Sequence, residues 1–171
     1  MRLVRLMFAV AVVLGVLNTP PSLGAASKCG APERHEFDFW IGNWRVTDAS
    51  GAFQGTNEVT RVYDGCALQE HWKGSGDDVG SSFNTYVPGR KQWHQTWVDN
   101  SGLTLILYGG LQGTSMVLEG PRITKAGTVI DRITWTPLPD GRVRQHWQQS
   151  GPGSKPWQDV FDGYYARAVA K

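Results

Sequence analysis

The segment that decides the fold runs from residue 92 to residue 98 and reads Gln92-Trp93-His94-Gln95-Thr96-Trp97-Val98. Side chains along a β-strand point alternately to opposite faces, so one face of this segment carries Trp93, Gln95 and Trp97. A large aromatic side chain gains much from burial, and this face is therefore predicted to point inward. His94 and Thr96 then point outward.

Two further segments show the same alternation. Residues 67–73 and 142–149 each carry a tryptophan on the less polar of their two faces. The same rule predicts an inward set made up of Leu68, Glu70, Trp72, Val143, Gln145 and Trp147, to which a neighbouring segment adds Asn84 and Tyr86. His71 and His146 are predicted to point outward.

The whole chain favours strands over helices. Its 171 residues include eight tryptophans and 21 glycines, and no long stretch has apolar residues at helical spacing. Short apolar runs separated by turn residues are typical of β-sandwiches and barrels. The predicted strands are 44–48, 57–63, 67–73, 81–87, 92–98, 103–108, 115–119, 128–136, 142–149 and 158–167, with breaks that include Gly109-Gly110 and Gly120-Pro121.

About ten strands joined by tight turns form an antiparallel meander. An open sheet of this size has two unpaired edges, and closure into a barrel removes them. The sequence therefore predicts an all-β fold, a calycin-like barrel of about ten strands. Residues 35–41 are predicted to form one helical turn that precedes the first strand.

The first 26 residues have the order of a secretory signal peptide. Arg2 and Arg5 precede an apolar run over residues 6–17, and the small residues Gly24-Ala25-Ala26 follow. Cleavage after Ala26 is predicted, leaving a single domain over 27–171. An N-terminal membrane anchor is the alternative, although the run is shorter than the roughly 20 residues that a bilayer requires.

Export to the periplasm or the cell exterior has a consequence for the two cysteines, Cys29 and Cys66. Such compartments are oxidising, so a disulfide between them is predicted, with two free thiols as the alternative. No Cys-x-x-Cys pair is present, which argues against a zinc site built from these two residues.

Charge limits the choice of partner. The chain has 17 Lys and Arg residues against 15 Asp and Glu residues, and Arg2 and Arg5 lie in the predicted signal peptide. The mature chain is therefore formally neutral, which argues against nucleic acid, since that partner requires a basic surface. The expected partner is a small, partly apolar molecule. After cleavage no membrane contact is expected, and the sequence gives no oligomeric state.

The most informative motif is His35-Glu36-Phe37-Asp38-Phe39-Trp40-Ile41-Gly42-Asn43-Trp44. A turn followed by Gly-x-Trp resembles the opening of calycin-type barrels, the group of lipocalins, fatty-acid-binding proteins and nitrobindin-like haem barrels. In lipocalins that Trp closes one barrel end and packs under an Arg of the last strand. The resemblance implies this role for Trp44 and Arg167, and a guanidinium over an indole is worth roughly 0.5–2 kcal/mol.

Four further segments, 65–70, 93–99, 116–120 and 161–164, extend the resemblance to essentially the whole mature chain. Together with the opening motif, they look like an uncharacterised family of exported bacterial calycin-like proteins. The resemblance implies a fold but no activity, because proteins that share a fold differ widely in function.

The predicted interior mixes tryptophans with carboxyl and amide groups. A few polar groups among aromatic walls are the usual composition of a small-molecule site. The predicted ligand-binding residues are Glu70, Trp72, Asn84, Trp93, Gln95, Trp97, Gln145 and Trp147. The alternative is a filled barrel without a ligand, with a structural or partner-binding role.

Acid–base catalysis by Glu70 is one alternative that the sequence leaves open. A Glu70 carboxyl among indoles would have a raised pKa, suited to acid–base catalysis, unless Gln95, Gln145 or an arginine such as Arg132 holds it as a structural group. No Gly-x-Ser-x-Gly motif indicates a nucleophile, so an enzyme is the less favoured hypothesis.

No cofactor and no metal site are predicted. The haem proteins within the resemblance bind haem through one strand histidine, for which His146 is the candidate here. The outward direction predicted for His146 counts against that role. His71, His94 and His146 could share a metal only on the outer surface of the barrel.

Overall fold

The computed structural model describes residues 29–151 and 156–169. The predicted signal peptide, residues 1–26, lies outside the described residues. Three short 3₁₀ turns cover Pro32–His35, Asp38–Trp40 and Tyr63–Gly65. The strands are β1 (Gly42–Thr47), β2 (Phe53–Val62), β3 (Ala67–Gly74), β4 (Val79–Val87), β5 (Gln92–Asp99), β6 (Thr104–Gln112), β7 (Ser115–Thr124), β8 (Gly127–Pro137), β9 (Val143–Ser150) and β10 (Gln158–Arg167).

The ten strands form one closed barrel. Each strand pairs antiparallel with the next, and β1 also pairs with β10, where Trp44 lies opposite Arg167. The predicted all-β, closed, ten-stranded meander is confirmed. Within the described ranges, no helix is long and apolar enough to cross a bilayer.

Two predicted breaks are wrong, because Gly109-Gly110 lies inside β6 and Gly120 lies inside β7. A Cβ atom at Gly109 would overlap the carbonyl oxygen of Val117, and one at Gly120 would overlap that of Ile106. These glycines therefore permit close approach of neighbouring backbones rather than a turn. The actual turn between β6 and β7 is residues 113–114.

Pro121 was also predicted to end a strand, yet it pairs with Ile130 inside the β7–β8 ladder. The last pair between β6 and β7 is Tyr108 with Glu119, so Pro121 lies beyond the paired part of that ladder, although β6 itself continues to Thr104. Proline lacks an N–H group and is tolerated where a strand has no partner on one side.

The alternation of faces follows the prediction. Leu68, Glu70, Trp93, Gln95 and Val143 are all buried, with at most 3% of each residue exposed. The residues predicted to point outward, such as His71, lie between them on the other face. Burial therefore agrees with the prediction for these five residues, whereas in β9 all residues after Val143 are half-buried and burial does not separate the two faces.

The segment before β1 closes one end of the barrel. Phe37 and Trp40 are completely buried, and their rings stack with centroids 4.9 Å apart. Phe37 also contacts the edges of Trp93 and Trp135, at 5.6 and 5.1 Å between ring centroids. The helical turn predicted for 35–41 begins earlier than expected, at Pro32, and this segment, Pro32 to Trp40, is hereafter the plug.

A disulfide joins Cys29, ahead of the plug, to Cys66, just before β3. The predicted pairing is confirmed. The 37-residue separation gives a loop-closure stabilisation of about 3–4 kcal/mol. The bridge therefore fixes the start of the plug to the end of the barrel that the plug fills.

Arg167 lies over Trp44, as the resemblance implies, with its Cζ atom 3.9 Å from the ring centroid. Its Nη1 atom donates a hydrogen bond to the carbonyl oxygen of Ile41. Gly42 has φ +141°, a conformation that L side chains rarely adopt, and a Cβ there would overlap the Arg167 guanidinium. Gly42 thus allows the arginine to clamp the end of β1.

We expect Gly42→Ala to lower the free energy of unfolding by about 1–2 kcal/mol more than Gly51→Ala does. Both glycines have positive φ, but an added Cβ at Gly51 contacts nothing, so only Gly42→Ala should also displace Arg167 from the indole. Urea denaturation of the two variants measures the difference. In an Arg167→Ala background the difference should shrink, and an unchanged difference would contradict the clamp.

Candidate functional site

A cavity of about 290 Å³ lies inside the barrel. In an antiparallel meander, alternate hairpin loops lie at the same end, and the residues at the mouth of this cavity belong to one such end. They are Gln54, Ser75, Asp78, Val79, Asp99 and Val160. The plug occupies the other end, so the interior is filled at one end and open at the other.

Six of the eight predicted ligand-binding residues line this cavity, namely Glu70, Trp72, Gln95, Trp97, Gln145 and Trp147. Trp93 does not, because it packs against the plug and donates its indole hydrogen bond to the Glu33 carbonyl at 3.1 Å. Asn84 is fully buried behind Gln95. Alternation along a strand predicts the face of a residue but not its depth along the barrel axis, which separates these two from the other six.

Glu70 is the buried carboxyl of the cavity, with 3% of the residue exposed. On β2, Asn57 donates from Nδ2 to Oε1 at 2.9 Å, and on β4, Ser82 donates from Oγ to Oε2 at 2.6 Å. Burial raises the pKa of Glu70 to about 7, against the opposing effect of the hydrogen bonds from Ser82 and Asn57.

The structural partners that the sequence suggested for Glu70 are wrong. Arg132 forms an ion pair with Glu119 instead, and Gln145 bonds to other groups. Gln95 is connected to Glu70 only through intervening side chains. The true partners sit on the two strands that flank β3, where the cross-strand register places Ser82 directly opposite Glu70.

A chain of hydrogen bonds runs from Gln95 to Glu70. Nε2 of Gln95 donates to Asn84 at 2.8 Å, Asn84 donates to Ser82 at 2.9 Å, and Ser82 donates to the carboxylate. An ionised carboxylate only accepts, so it fixes the direction of every bond in the chain. Within the described part of the molecule, Oε1 of Gln95 accepts no hydrogen bond, although this residue is only 1% exposed.

The Gln145 amide is oriented in the opposite sense to that of Gln95, with its oxygen bonded and its nitrogen left free in the part of the chain that the structure describes. Its Oε1 accepts hydrogen bonds from the Trp135 indole at 3.0 Å and the Tyr165 hydroxyl at 2.6 Å. An indole N–H can only donate, which fixes the orientation of the amide. The Nε2 atom of Gln145 has no partner among the described residues and is available to a ligand.

Each of three cavity tryptophans has its indole N–H bound to an aspartate. Trp72 donates to Asp78 at 2.8 Å, and Trp97 donates to Asp99 at 3.2 Å, both at the cavity mouth. Each carboxylate holds its ring in one orientation. The rings also need space on the neighbouring strand, since a Cβ at Gly55 would overlap Trp72 and one at Gly80 would overlap Trp97.

The third of these tryptophans is held from deeper in the barrel wall. Trp147 donates to Asp131 at 2.9 Å, and Asp131 is completely buried. Arg122 neutralises that carboxylate with a hydrogen bond of 2.8 Å. Trp147 is therefore anchored by a buried ion pair, which makes this wall of the cavity preorganised.

The histidines lie outside the cavity. His71 contacts Ser81, His94 contacts the Leu107 carbonyl, and His146 contacts Asp159 at 2.7 Å on the outer face. The His146 side chain points away from the cavity, so it is not placed to hold a haem there. In the described ranges, no three His, Cys, Asp or Glu side chains cluster in a way suited to a metal ion.

Several residues of the site are not among those predicted from the sequence, namely Asn57, Asp78, Ser82, Tyr165 and Phe161. Asn57 and Tyr165 occupy inward positions in the alternation of their strands, and this signal could have identified them. Asp78 lies in the loop between β3 and β4, where the alternation of strand faces gives no signal. Its role depends on the neighbouring Trp72, which a sequence pattern does not show.

The sequence matches no protein-family model, and no curated protein is significantly similar to it. The class is therefore defined by the structure alone. A closed, antiparallel, ten-stranded meander whose interior is plugged at one end is consistent with a calycin-like fold.

Stability should fall as pH rises from 5 to 8.5, and Glu70 should account for about 2–3 kcal/mol of that fall. The folded state keeps the proton up to about pH 7, whereas the unfolded carboxyl has released it near its ordinary pKa of 4.5, so rising pH favours unfolding in this range. Denaturant unfolding of wild type and Glu70→Gln at several pH values measures this. Parallel pH profiles for the two proteins would contradict the assignment.

Proposed function

We propose that this protein is an exported binding protein whose barrel holds a small, partly apolar molecule. The observation that carries the proposal is the cavity itself, about 290 Å³ with indole walls and unpartnered amide atoms. Ligand sites typically combine apolar walls with a few convergent polar groups in this way. The volume lies near the lower end of the usual range, which favours a compact ligand.

Export is supported by the disulfide and by the order of residues 1–26. Disulfides persist in oxidising compartments, and here the bridge secures the plug that closes the barrel. A ligand-binding protein that works in the periplasm or outside the cell benefits from such a constraint. Cell fractionation and the N-terminal sequence of the mature protein test this part of the proposal.

Each residue of the site has a role in the proposed binding. Trp72, Trp97 and Trp147 supply flat apolar walls held in place by aspartates. Glu70, Gln95 and Gln145 supply the atoms that orient the ligand. Mass spectrometry of the native protein and of what co-purifies with it is the direct route to the ligand.

Binding of the neutral apolar dye N-phenyl-1-naphthylamine should quench tryptophan emission through energy transfer. Trp72→Ala or Trp97→Ala should weaken dye binding by about tenfold, because each removes a large aromatic contact from the cavity wall. Trp157→Ala is the matched control, since Trp157 stacks on Arg132 and does not line the cavity. Equal dye affinity in all three variants and wild type would refute the binding proposal.

The raised pKa of Glu70 favours a second candidate function, acid–base catalysis inside the cavity. A carboxyl group that titrates near pH 7 exchanges a proton readily at physiological pH. If screening finds a turnover, Glu70→Gln should reduce it at least a hundredfold while leaving the fold intact by circular dichroism. Full activity in that variant would exclude the catalytic role.

A further inference from the structure

Three residues that line the cavity carry acceptor oxygens, and these oxygens indicate which ligand chemistry the cavity recognises. They are the Glu70 carboxylate, Oε1 of Gln95 and the hydroxyl oxygen of Tyr165, all on residues that line the cavity. Gln95 Nε2 lies 3.5 Å from Ser82 Oγ, which in turn bonds to Glu70. Burial, together with the charge of Glu70, raises the pKa of Tyr165, so this hydroxyl keeps its proton.

Each of these oxygens keeps an acceptor position free. The Glu70 oxygens receive one hydrogen bond each, from Asn57 and Ser82, and a carboxylate oxygen can accept two. Tyr165 uses its proton on Gln145 and retains lone pairs on the oxygen. Oε1 of Gln95 accepts nothing from the described residues. A ligand that suits this lining brings hydrogen-bond donors to it.

The charge of the cavity has one sign. Its described lining includes the carboxyl groups of Glu70, Asp78 and Asp99 and contains no lysine, arginine or histidine. Hydrogen bonds from Ser101, Trp97 and Leu103 outweigh the effect of burial, so the pKa of Asp99 lies below its ordinary value and the group is ionised at neutral pH. Carboxylates at a mouth of this kind attract cations and repel anions.

The walls also favour a cation. Indole faces carry negative potential and attract a positive group within about 6 Å, by roughly 0.5–2 kcal/mol. Trp72 and Trp97 each donate their N–H to a carboxylate. The polar edge of each indole is therefore already bonded, and the rest of the ring is left to contact a ligand. The apolar part of the ligand then packs on the same rings.

We propose that the cavity selects a protonated primary amine with an apolar body. The inference rests on the proposed binding function and specifies its ligand class. The ammonium group has three N–H donors, one for each of Glu70, Gln95 and Tyr165. Glu70 is the counter-ion of the bound amine, and the indoles hold its apolar body.

The test compares three probes that share a phenyl body: phenethylamine, phenethyl alcohol and phenylacetate. Isothermal titration calorimetry at pH 8 should give an affinity for the amine at least tenfold above that for the alcohol, because a charge-assisted hydrogen bond is about twice as strong as a neutral one. Phenylacetate should bind weakest. An alcohol that binds as tightly as the amine overturns the inference.

Glu70→Gln supplies the residue-level test, with Glu58→Gln as its matched control. Glu58 is exposed on β2, on the opposite face from Asn57, so its replacement removes a carboxylate of the same region without altering the cavity. The amine preference should vanish in Glu70→Gln and persist in Glu58→Gln. A preference that persists in both variants, or vanishes in both, overturns the assignment to Glu70.

A pH series on the wild-type protein requires no variant to fold. The ratio of amine to alcohol affinity should rise severalfold between pH 5.5 and 8.5, because Glu70 ionises near pH 7 and the amine stays protonated throughout. Its neighbours Asn57 and Ser82 are neutral, and the other titratable groups in the described lining of the cavity are Tyr165, Asp78 and Asp99. A flat ratio overturns the inference.

The outcomes for the two proposals are separable. If N-phenyl-1-naphthylamine binds in the cavity and phenethylamine shows no advantage over the alcohol, the binding function stands and the amine inference fails. If neither the dye nor any of the three probes binds, both fail together. A tenfold amine preference that depends on Glu70 supports both.

Discussion

The pairing of the first strand with the last, Trp44 opposite Arg167, is the constraint on which the rest of the structure depends. It closes the ten-stranded meander into a barrel, so alternate residues of every strand face one enclosed volume. Eight strands already make an interior that side chains just fill or that holds one small ligand. Ten strands enclose more, and the plug with Phe37 and Trp40 fills only one end. The cavity follows from closure and strand number.

Closure also places Glu70 where an ionised carboxyl is unfavourable. Two neutral hydrogen bonds, from Asn57 and Ser82, do not replace the water lost on burial, and the raised pKa expresses that imbalance. Asp131 differs in its partner: it is completely buried and forms an ion pair with Arg122. Within the described structure, Glu70 has no cationic partner, as expected of a group that meets its partner in a ligand.

The sequence was sufficient for the fold because the fold depends on strand periodicity and turn residues. Alternation placed Glu70, Gln95 and Gln145 on the inner face, and all three line the cavity. The wrong predictions concern residues whose role depends on a neighbouring strand, which the sequence does not show. Gly120 looked like a turn residue, yet it serves the close approach of Ile106 in β6.

The same limitation applies to the site. Trp93 and Trp97 share one face of β5, yet Trp93 packs on the plug and Trp97, four positions further along, lines the cavity. Periodicity carries no information about that depth. The partners of Glu70 depend on cross-strand register, which brings residues 57 and 82 to one carboxyl across 25 positions of sequence. Recognising them requires coordinates.

The hydrogen-bond chain links the charge of Glu70 at one end to the orientation of the Gln95 amide at the other. While Glu70 is ionised, Ser82 and Asn84 must both donate toward it. The amide of Gln95 must then turn its nitrogen to Asn84, which leaves its oxygen free. A protonated Glu70 no longer imposes this direction, because a carboxyl O–H can itself donate to Ser82. The free acceptor oxygens of Glu70 and Gln95 thus depend on the whole hydrogen-bond chain between them. A bound cation that keeps Glu70 ionised also keeps the Gln95 amide in the orientation that accepts a hydrogen bond from that cation.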